Sequence, residues 1–271
     1  MNNFLLKYGP WAIVVGAAEG LGEAYCMALA KRNMSLVMVD NRLAELTSLA
    51  NELKNLYSIE TATLHLDLNR NDAVKILLET VKSHDIGLLI YNAAYSQIKP
   101  FVKYTTEELD GFLAVNARTQ IQLIHTFAKQ LIAKEKAGGV IMMSSLAGLI
   151  GMQLVAPYAA TKAFTWNLAE ALNYELKAKN IAVMACLSGA TATPTYLKSN
   201  PKYGFIKPLV MKPDNVAEAA LNKLGKKALF IPGFSNRLNY FLLTRLMPRK
   251  MAASLANKTM GEMYAHLESG N

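Results

Sequence analysis

The run Trp11-Ala-Ile-Val-Val15 passes directly into Gly16-Ala-Ala-Glu-Gly20-Leu-Gly22, and no other stretch constrains the fold as strongly. A short apolar run rich in β-branched residues, bounded by glycine, reads as a strand buried on both faces. The glycines permit a tight turn, and the pattern from there to Arg32 is helical. A strand turning this sharply into a helix opens a βαβ unit, which commits the chain to a parallel sheet. Similar apolar runs recur at residues 35–39, 61–66, 86–91, 140–143, 181–187 and 228–231. Helical patterns at 43–57, 71–83, 106–136, from Pro157 onward and at 214–224 separate them, with Asp214 read as the cap of the last.

This alternation predicts an α/β fold: a single-domain, Rossmann-like, doubly wound parallel sheet with helices on both faces. A chain of 271 residues with 52% hydrophobic content can bury one large core. No repeat, low-complexity stretch or linker divides it, so residues 1–235 read as one dinucleotide-binding domain and 236–271 as a basic C-terminal helical extension. Cys26 and Cys186 give neither a disulfide framework nor a metal-ligand spacing, which suits a reducing compartment. The N-terminal apolar run is too short for a signal peptide, and no stretch reaches the roughly 18 apolar residues of a membrane span. The expected location is cytoplasmic, with attachment to a membrane surface as the alternative.

A glycine turn between strand and helix lets the backbone approach a pyrophosphate, and the helix N-terminus offers free N–H groups and a positive dipole end. Gly16, Ala18, Glu19, Gly20, Leu21 and Gly22 are therefore candidate cofactor-binding residues. Asp40 ends the second strand 20 residues after Gly20, where a carboxylate would bind the adenosine ribose hydroxyls of NAD and, with Glu19, repel the 2′-phosphate of NADP. NAD(H) is favoured on this ground; Arg42 offers a route to NADP(H). Asp40 also reads as an N-cap for the helix at Leu43. Asp67, with Leu68, ends the third strand, placed either to bind the adenine or to cap the next helix. Asn92 and Ala93 follow the fourth. The turn after the sixth brings Gly189, Thr191 and Thr193 toward the nicotinamide side, and residues 195–212 look like a mobile loop over a site.

Ser145 follows an apolar strand, and Tyr158-Ala-Ala-Thr-Lys162 opens a long helix thirteen residues later. Positions i and i+4 share a helix face, so the Lys162 ammonium is expected beneath the Tyr158 hydroxyl, pulling its pKa of about 10 down toward working pH. Tyr158 then becomes a usable acid or base, while Ser145 hydrogen-bonds a substrate carbonyl. Asn116 is a polar residue among Phe112, Leu113 and Val115, which suits either a functional or a backbone-satisfying role.

Gly16, Gly20 and Gly22, the turn Asn92-Ala93-Ala94, Asn116, Ser145, Tyr158 and Lys162 together resemble the short-chain dehydrogenase/reductase family over roughly residues 10–235. The resemblance implies hydride transfer between a nicotinamide cofactor and a secondary alcohol or ketone, with Asn116, Ser145, Tyr158 and Lys162 as a catalytic tetrad. It implies that Tyr158 moves the proton, that Lys162 lowers its pKa and binds the nicotinamide ribose, and that Asn116 holds a water in a proton relay. Homodimers or homotetramers are implied as well. Val15, Ala94 and Ser188 depart from the family's usual threonine, glycine and proline. Residues 8–16 and 22–25 also resemble the branch that reduces 3-ketoacyl thioesters and 17-ketosteroids. An apolar carbonyl substrate is expected, touched by Tyr196, Leu197, Tyr203, Phe205 and Ile206. A non-catalytic dinucleotide-binding sensor or scaffold is the rival from another class.

The net charge of +9 is concentrated in residues 198–258, where twelve Lys and Arg face only Asp214 and Glu218. Leu238, Phe241, Leu242, Arg245 and Met247 predict an apolar helix with basic flanks, interrupted at Pro248. It reads as a helix packed on its own domain or a dimer partner, as a lid over a hydrophobic substrate, or as a peripheral membrane contact. Cations that flank aliphatic residues, with no recognition motif, argue against nucleic acid.

Overall fold

The computed structural model describes residues 3–204 and 207–268. Seven strands form one parallel sheet in the order β3-β2-β1-β4-β5-β6-β7: β1 (Trp11–Val15), β2 (Ser35–Asp40), β3 (Thr61–His65), β4 (Ile86–Tyr91), β5 (Gly138–Ser145), β6 (Ile181–Ser188) and β7 (Leu229–Phe230). The helices are α1 (Asn3–Tyr8), α2 (Leu21–Ala30), α3 (Leu43–Tyr57), α4 (Ala73–Thr80), α5 (Thr106–Leu113), α6 (Thr119–Ala133), α7 (Ala156–Lys177), α8 (Pro194–Lys198), α9 (Pro213–Leu221), α10 (Phe234–Phe241) and α11 (Arg249–Glu268). The chain winds outward from β1 to β3, then returns to place β4 on the other side of β1. That reversal opens a crevice at the carboxyl ends of β1 and β4.

Alternate side chains of the strands face two cores. Val14, Met38 and Ile90 pack with Tyr25, Leu46 and Val216 under α2, α3 and α9, while Val15, Leu89 and Val140 pack with Leu77, Leu123 and Ala169 under α4, α6 and α7. Burial on both faces explains why these strands read as unbroken apolar runs.

Several boundaries differ from the sequence expectation, each for a local reason. The fifth strand starts two residues before Val140, because Gly138 and Gly139 lie where a Cβ would come within 2.4 Å of Leu131 Cδ1 and 2.8 Å of the Tyr8 ring. The helix expected over 106–136 starts after Thr105, which forms a capping box with Glu108, and a π-helical segment at Ala114–Arg118 interrupts it. Neither Asp40 nor Asp67 caps a helix: those N-caps are Arg42 and Asp72. Asp214 lies in the first turn of α9, behind the N-cap Lys212 and Pro213.

The expected loop over 195–212 contains α8, capped by the Thr193 hydroxyl; Phe205 and Ile206 lie outside the described residues. The extension begins at Phe234, slightly earlier than the expected boundary, and Asn236 is buried against Gly189. Its helix ends in a π-helical segment, Leu242–Leu246, and breaks at Met247-Pro248 before α11, which kinks at Tyr264. Among the described residues, no helix is long and apolar enough to cross a membrane.

Candidate active site

The crevice widens into a cleft of about 890 Å³ lined by the glycine turn, the ends of β2 to β6, α8 and the extension. All the residues read from sequence as cofactor contacts converge on it or buttress its walls. Gly16 sits at φ +81°, and an added Cβ would stand 2.6 Å from Ala93 N; Gly20 sits at φ +62°. Gly22 allows α2 to close on the turn, since its Cβ would lie 1.7 Å from the Gly16 carbonyl oxygen. No side chain caps α2, so its first N–H groups remain for a ligand. This bare helix end beneath a Cβ-free cradle fits a dinucleotide's pyrophosphate.

The fourth strand's end is stitched to the turn. Asn92 N and Ala93 N both donate to Val15 O, at 2.9 and 2.8 Å, and Asn92 Nδ2 donates to Gly16 O at 2.8 Å. Backbone bonds thus hold the turn where Val15 has no hydroxyl to offer.

At the β2 end of the cleft, Asp40 is 6% exposed and accepts from Ala18 N at 2.9 Å and Arg42 N at 3.1 Å. The Arg42 guanidinium bridges Asp40 (3.2 Å) and Glu19 (2.5 Å). Burial works against that charge, yet the bonds to the two carboxylates outweigh it and raise the Arg42 pKa. Arg42 is therefore engaged by acids rather than held open for a phosphate. Asp67 is exposed, accepts from Asn69 N at 2.9 Å and lines the cleft, as does Leu68, whose carbonyl accepts from Thr119 Oγ1 at 2.8 Å.

At the other end, Thr191 Oγ1 donates to Gly189 O at 3.0 Å, and Thr193 packs against Gly20 while capping α8. Thr195 Oγ1 reaches Glu19 Oε1 at 3.2 Å, closing a ring of contacts around the cleft mouth.

Ser145, Tyr158 and Lys162 come together on the cleft floor where β5 ends and α7 begins. Pairing of Ser145 with Ser188 fixes the strand end, and Ser145 Oγ accepts from Ala147 N at 3.1 Å. Ser144 is buried and turned away, donating to Lys162 O at 2.7 Å, which separates the two serines. Lys162, 4% exposed, donates from Nζ to Met143 O at 2.8 Å and lies 5.4 Å from the centre of the Tyr158 ring.

The expected depression of the Tyr158 pKa is not found: burial raises it, and the hydrogen-bonding Ser145 hydroxyl only partly offsets this. The same burial lowers the Lys162 pKa to about 8. Lys162 Nζ donates to the Met143 carbonyl while its charge stays beside the Tyr158 ring, and burial keeps the phenol's pKa above the ordinary tyrosine value. Asn116 lies in the π-helical segment, with Oδ1 accepting from Tyr95 N (2.7 Å) and Nδ2 donating to Tyr95 O (2.9 Å) and Thr161 Oγ1 (3.0 Å). Its side chain fixes the Tyr95 backbone to α7, using both Nδ2 donors and one of the two Oδ1 acceptor positions.

Two sets of site residues were missed in the sequence. Thr161, within the Tyr158-to-Lys162 motif, links Asn116 to the Tyr158 carbonyl. Met260, Met263 and Tyr264 roof the Tyr158 end of the cleft: Tyr264 and Met260 pack with Leu154 and Val155 against Ile98, Met152 and Tyr158. Their i, i+3, i+4 spacing was visible, but nothing local says that α11 folds back. Asn257 ties it to one rim by bonds with Gln153 N (2.7 Å) and Gly151 O (3.0 Å); Tyr264 OH ties it to the other through Ser199 Oγ at 3.0 Å. Of the loop residues expected at the substrate, Tyr196 lines the cleft and bonds hydroxyl to hydroxyl with Tyr203, whereas Leu197 is exposed.

Comparison with known proteins agrees with this geometry. The short chain dehydrogenase family model matches residues 10–204. A 7beta-hydroxysteroid dehydrogenase of Clostridium sardiniense is 34% identical over 235 residues, covering 87% of this chain and 90% of that protein. A very-long-chain 3-oxoacyl-CoA reductase of Laccaria bicolor is 29% identical over 229 residues, covering 83% and 66% respectively. A solved structure from work on 7beta-hydroxysteroid dehydrogenase stereoselectivity superposes with a TM-score of 0.87 at 25% identity, covering 94% of this chain and 99% of that one. The chain therefore belongs to the short-chain dehydrogenase family, as an NAD(P)-dependent oxidoreductase of its hydroxysteroid and 3-oxoacyl reductase branch that interconverts a secondary alcohol and a ketone.

Proposed function

We propose that the substrate is a bulky, rigid, apolar ketone or alcohol of the hydroxysteroid type, and that Tyr158 exchanges its proton. The observation that carries this reading is the roofed chamber: Tyr158 and Ser145 form its floor, and Ile98, Met152, Val155, Met260 and Met263 its apolar walls. A polycyclic substrate fills such a chamber without ordering a flexible chain. A nicotinamide cofactor held at the glycine turn would supply or accept the hydride at the substrate carbon. Ser145 donates a hydrogen bond to the substrate oxygen, Tyr158 delivers the proton in the reducing direction, and Lys162 supplies positive charge that stabilises the phenolate left behind. Asn116 acts as a positioning residue, through Tyr95 and Thr161. Assay of cyclic hydroxyketones against 3-oxoacyl thioesters, followed as nicotinamide absorbance, tests the substrate. A kcat/KM higher for the thioesters would favour the second reading, which the similarity to 3-oxoacyl-CoA reductases supports.

For the cofactor we propose NAD(H), supported by Asp40 and Glu19 facing the ribose end with Arg42 already neutralised between them. Asp40→Ala should erode the preference for NADH over NADPH by about tenfold or more, read as the ratio of the two kcat/KM values. An unchanged ratio would point to Arg42 swinging out to bind a phosphate. Exposed Leu113, Ile121 and Ile132 on the α5–α6 flank and Tyr174 on α7 support self-association into a homodimer or homotetramer, to be read by sedimentation velocity.

The lowered Lys162 pKa sets a pH dependence. The ammonium is present below about pH 8 and lost above it, and with it the cation opposite the developing phenolate. A profile of kcat/KM for ketone reduction, which reports groups in the free enzyme, should be flat near neutrality and fall from about pH 8 upward.

A further inference from the structure

We propose that the outer face of α10 and the turn after it docks on an anionic lipid surface, with the cleft mouth held at the interface. The two sides of this helix have opposite roles. Asn236, Asn239, Tyr240 and Leu243 face the cleft. On the other side Phe234 (73% exposed), Leu238, Phe241, Leu242 and Leu246 (64%) form an apolar stripe open to solvent. Positions 234, 238, 241 and 242 share one helical face and Leu246 extends it in the π-helical segment, so the stripe is continuous rather than scattered.

Charge identifies the occupant. From residue 219 to residue 261 the chain has no Asp or Glu, while Arg237 and Arg245 lie within the helix and its π-helical end and Arg249 and Lys250 follow directly, all exposed. A second copy of the chain would have to meet this patch in a two-fold contact, cation against cation, with no acid to compensate. An anionic bilayer offers both the apolar boundary and the complementary charge, the combination that binds amphipathic helices to membrane interfaces. Because the inner side of the same helix lines the cleft, docking would bring an apolar substrate dissolved in lipid to the chamber by a short path.

The test is co-sedimentation of the full chain with vesicles of phosphatidylcholine alone and of phosphatidylcholine mixed with phosphatidylglycerol. Binding should require phosphatidylglycerol and weaken as NaCl is raised. Arg245→Gln and Arg249→Gln should each weaken partition about fivefold, and Phe241→Ser about tenfold, with thermal unfolding and NADH binding unchanged. Equal partition into neutral and anionic vesicles, or into neither, would overturn the proposal. So would a Phe241→Ser variant that turns a dimer into a monomer in lipid-free sedimentation, since that would make the stripe an interface between copies.

Discussion

Replacing Tyr158 by phenylalanine should lower kcat by about 10²–10⁴-fold, the range contributed by a positioned acid or base, while leaving NADH affinity and the melting temperature close to those of the unchanged chain. The ring keeps its packing with Leu154, Val155 and Met260, so only the hydroxyl is lost. Stopped-flow or steady-state turnover with a ketone substrate measures the effect, and titration of intrinsic fluorescence with NADH measures the control. A variant that turns over as fast as the parent would show that the proton comes from elsewhere, and a variant that fails to bind NADH would show that the hydroxyl serves the cofactor. Ser145→Ala should behave similarly but less severely, because the phenol would still donate to the oxyanion.

Gly22→Ala should be the most damaging single-methyl change in the cofactor half of the site. Its Cβ would stand 1.7 Å from the Gly16 carbonyl oxygen, a backbone atom held by the Asn92 amide and unable to give way. Either α2 moves off the turn, opening the core around Tyr25 and Leu29, or the turn deforms and the pyrophosphate cradle is lost. Overpacking against fixed backbone costs about 1–3 kcal/mol or more, so a clear fall in the denaturation midpoint is expected together with loss of NADH binding. Gly151→Ala is the matched control: nothing lies within 4 Å of its added Cβ, and both measurements should stay put.

The sheet was legible because each central strand is buried on both faces and so announces itself as an apolar run of fixed length. The glycine turn was legible because backbone crowding leaves no alternative to glycine at Gly16 and Gly22. Ser145, Tyr158 and Lys162 were legible because a strand end and one helical turn fix their spacing locally. What the sequence hid depends on contacts between distant segments. The raised pKa of Tyr158 is one such case: spacing places Lys162 one turn away, but the burial that outweighs it, and the Met143 carbonyl that also engages the ammonium, come only with the folding of β5 against α7. Asn116 is another, its amide bonded to Tyr95 and Thr161 from two distant segments. Arg42 reads in the sequence as a route to a phosphate, and its ion pairs with both Glu19 and Asp40 are contacts that the sequence does not show. The roof was hidden for the same reason, since Met260 and Tyr264 are more than a hundred residues from Leu154 and Val155.

The composition of that roof bears on how the protein would tolerate change. Met152, Met260 and Met263 surround the substrate end, and an unbranched thioether side chain re-packs around a new shape at little cost. Tyr264 and Asn257, by contrast, pin α11 by directional bonds that do not stretch. The chamber therefore has a fixed frame and soft walls, so ketones of different outline should share one catalytic floor, and a narrower substrate range should come from replacing these methionines with branched side chains rather than from altering the floor.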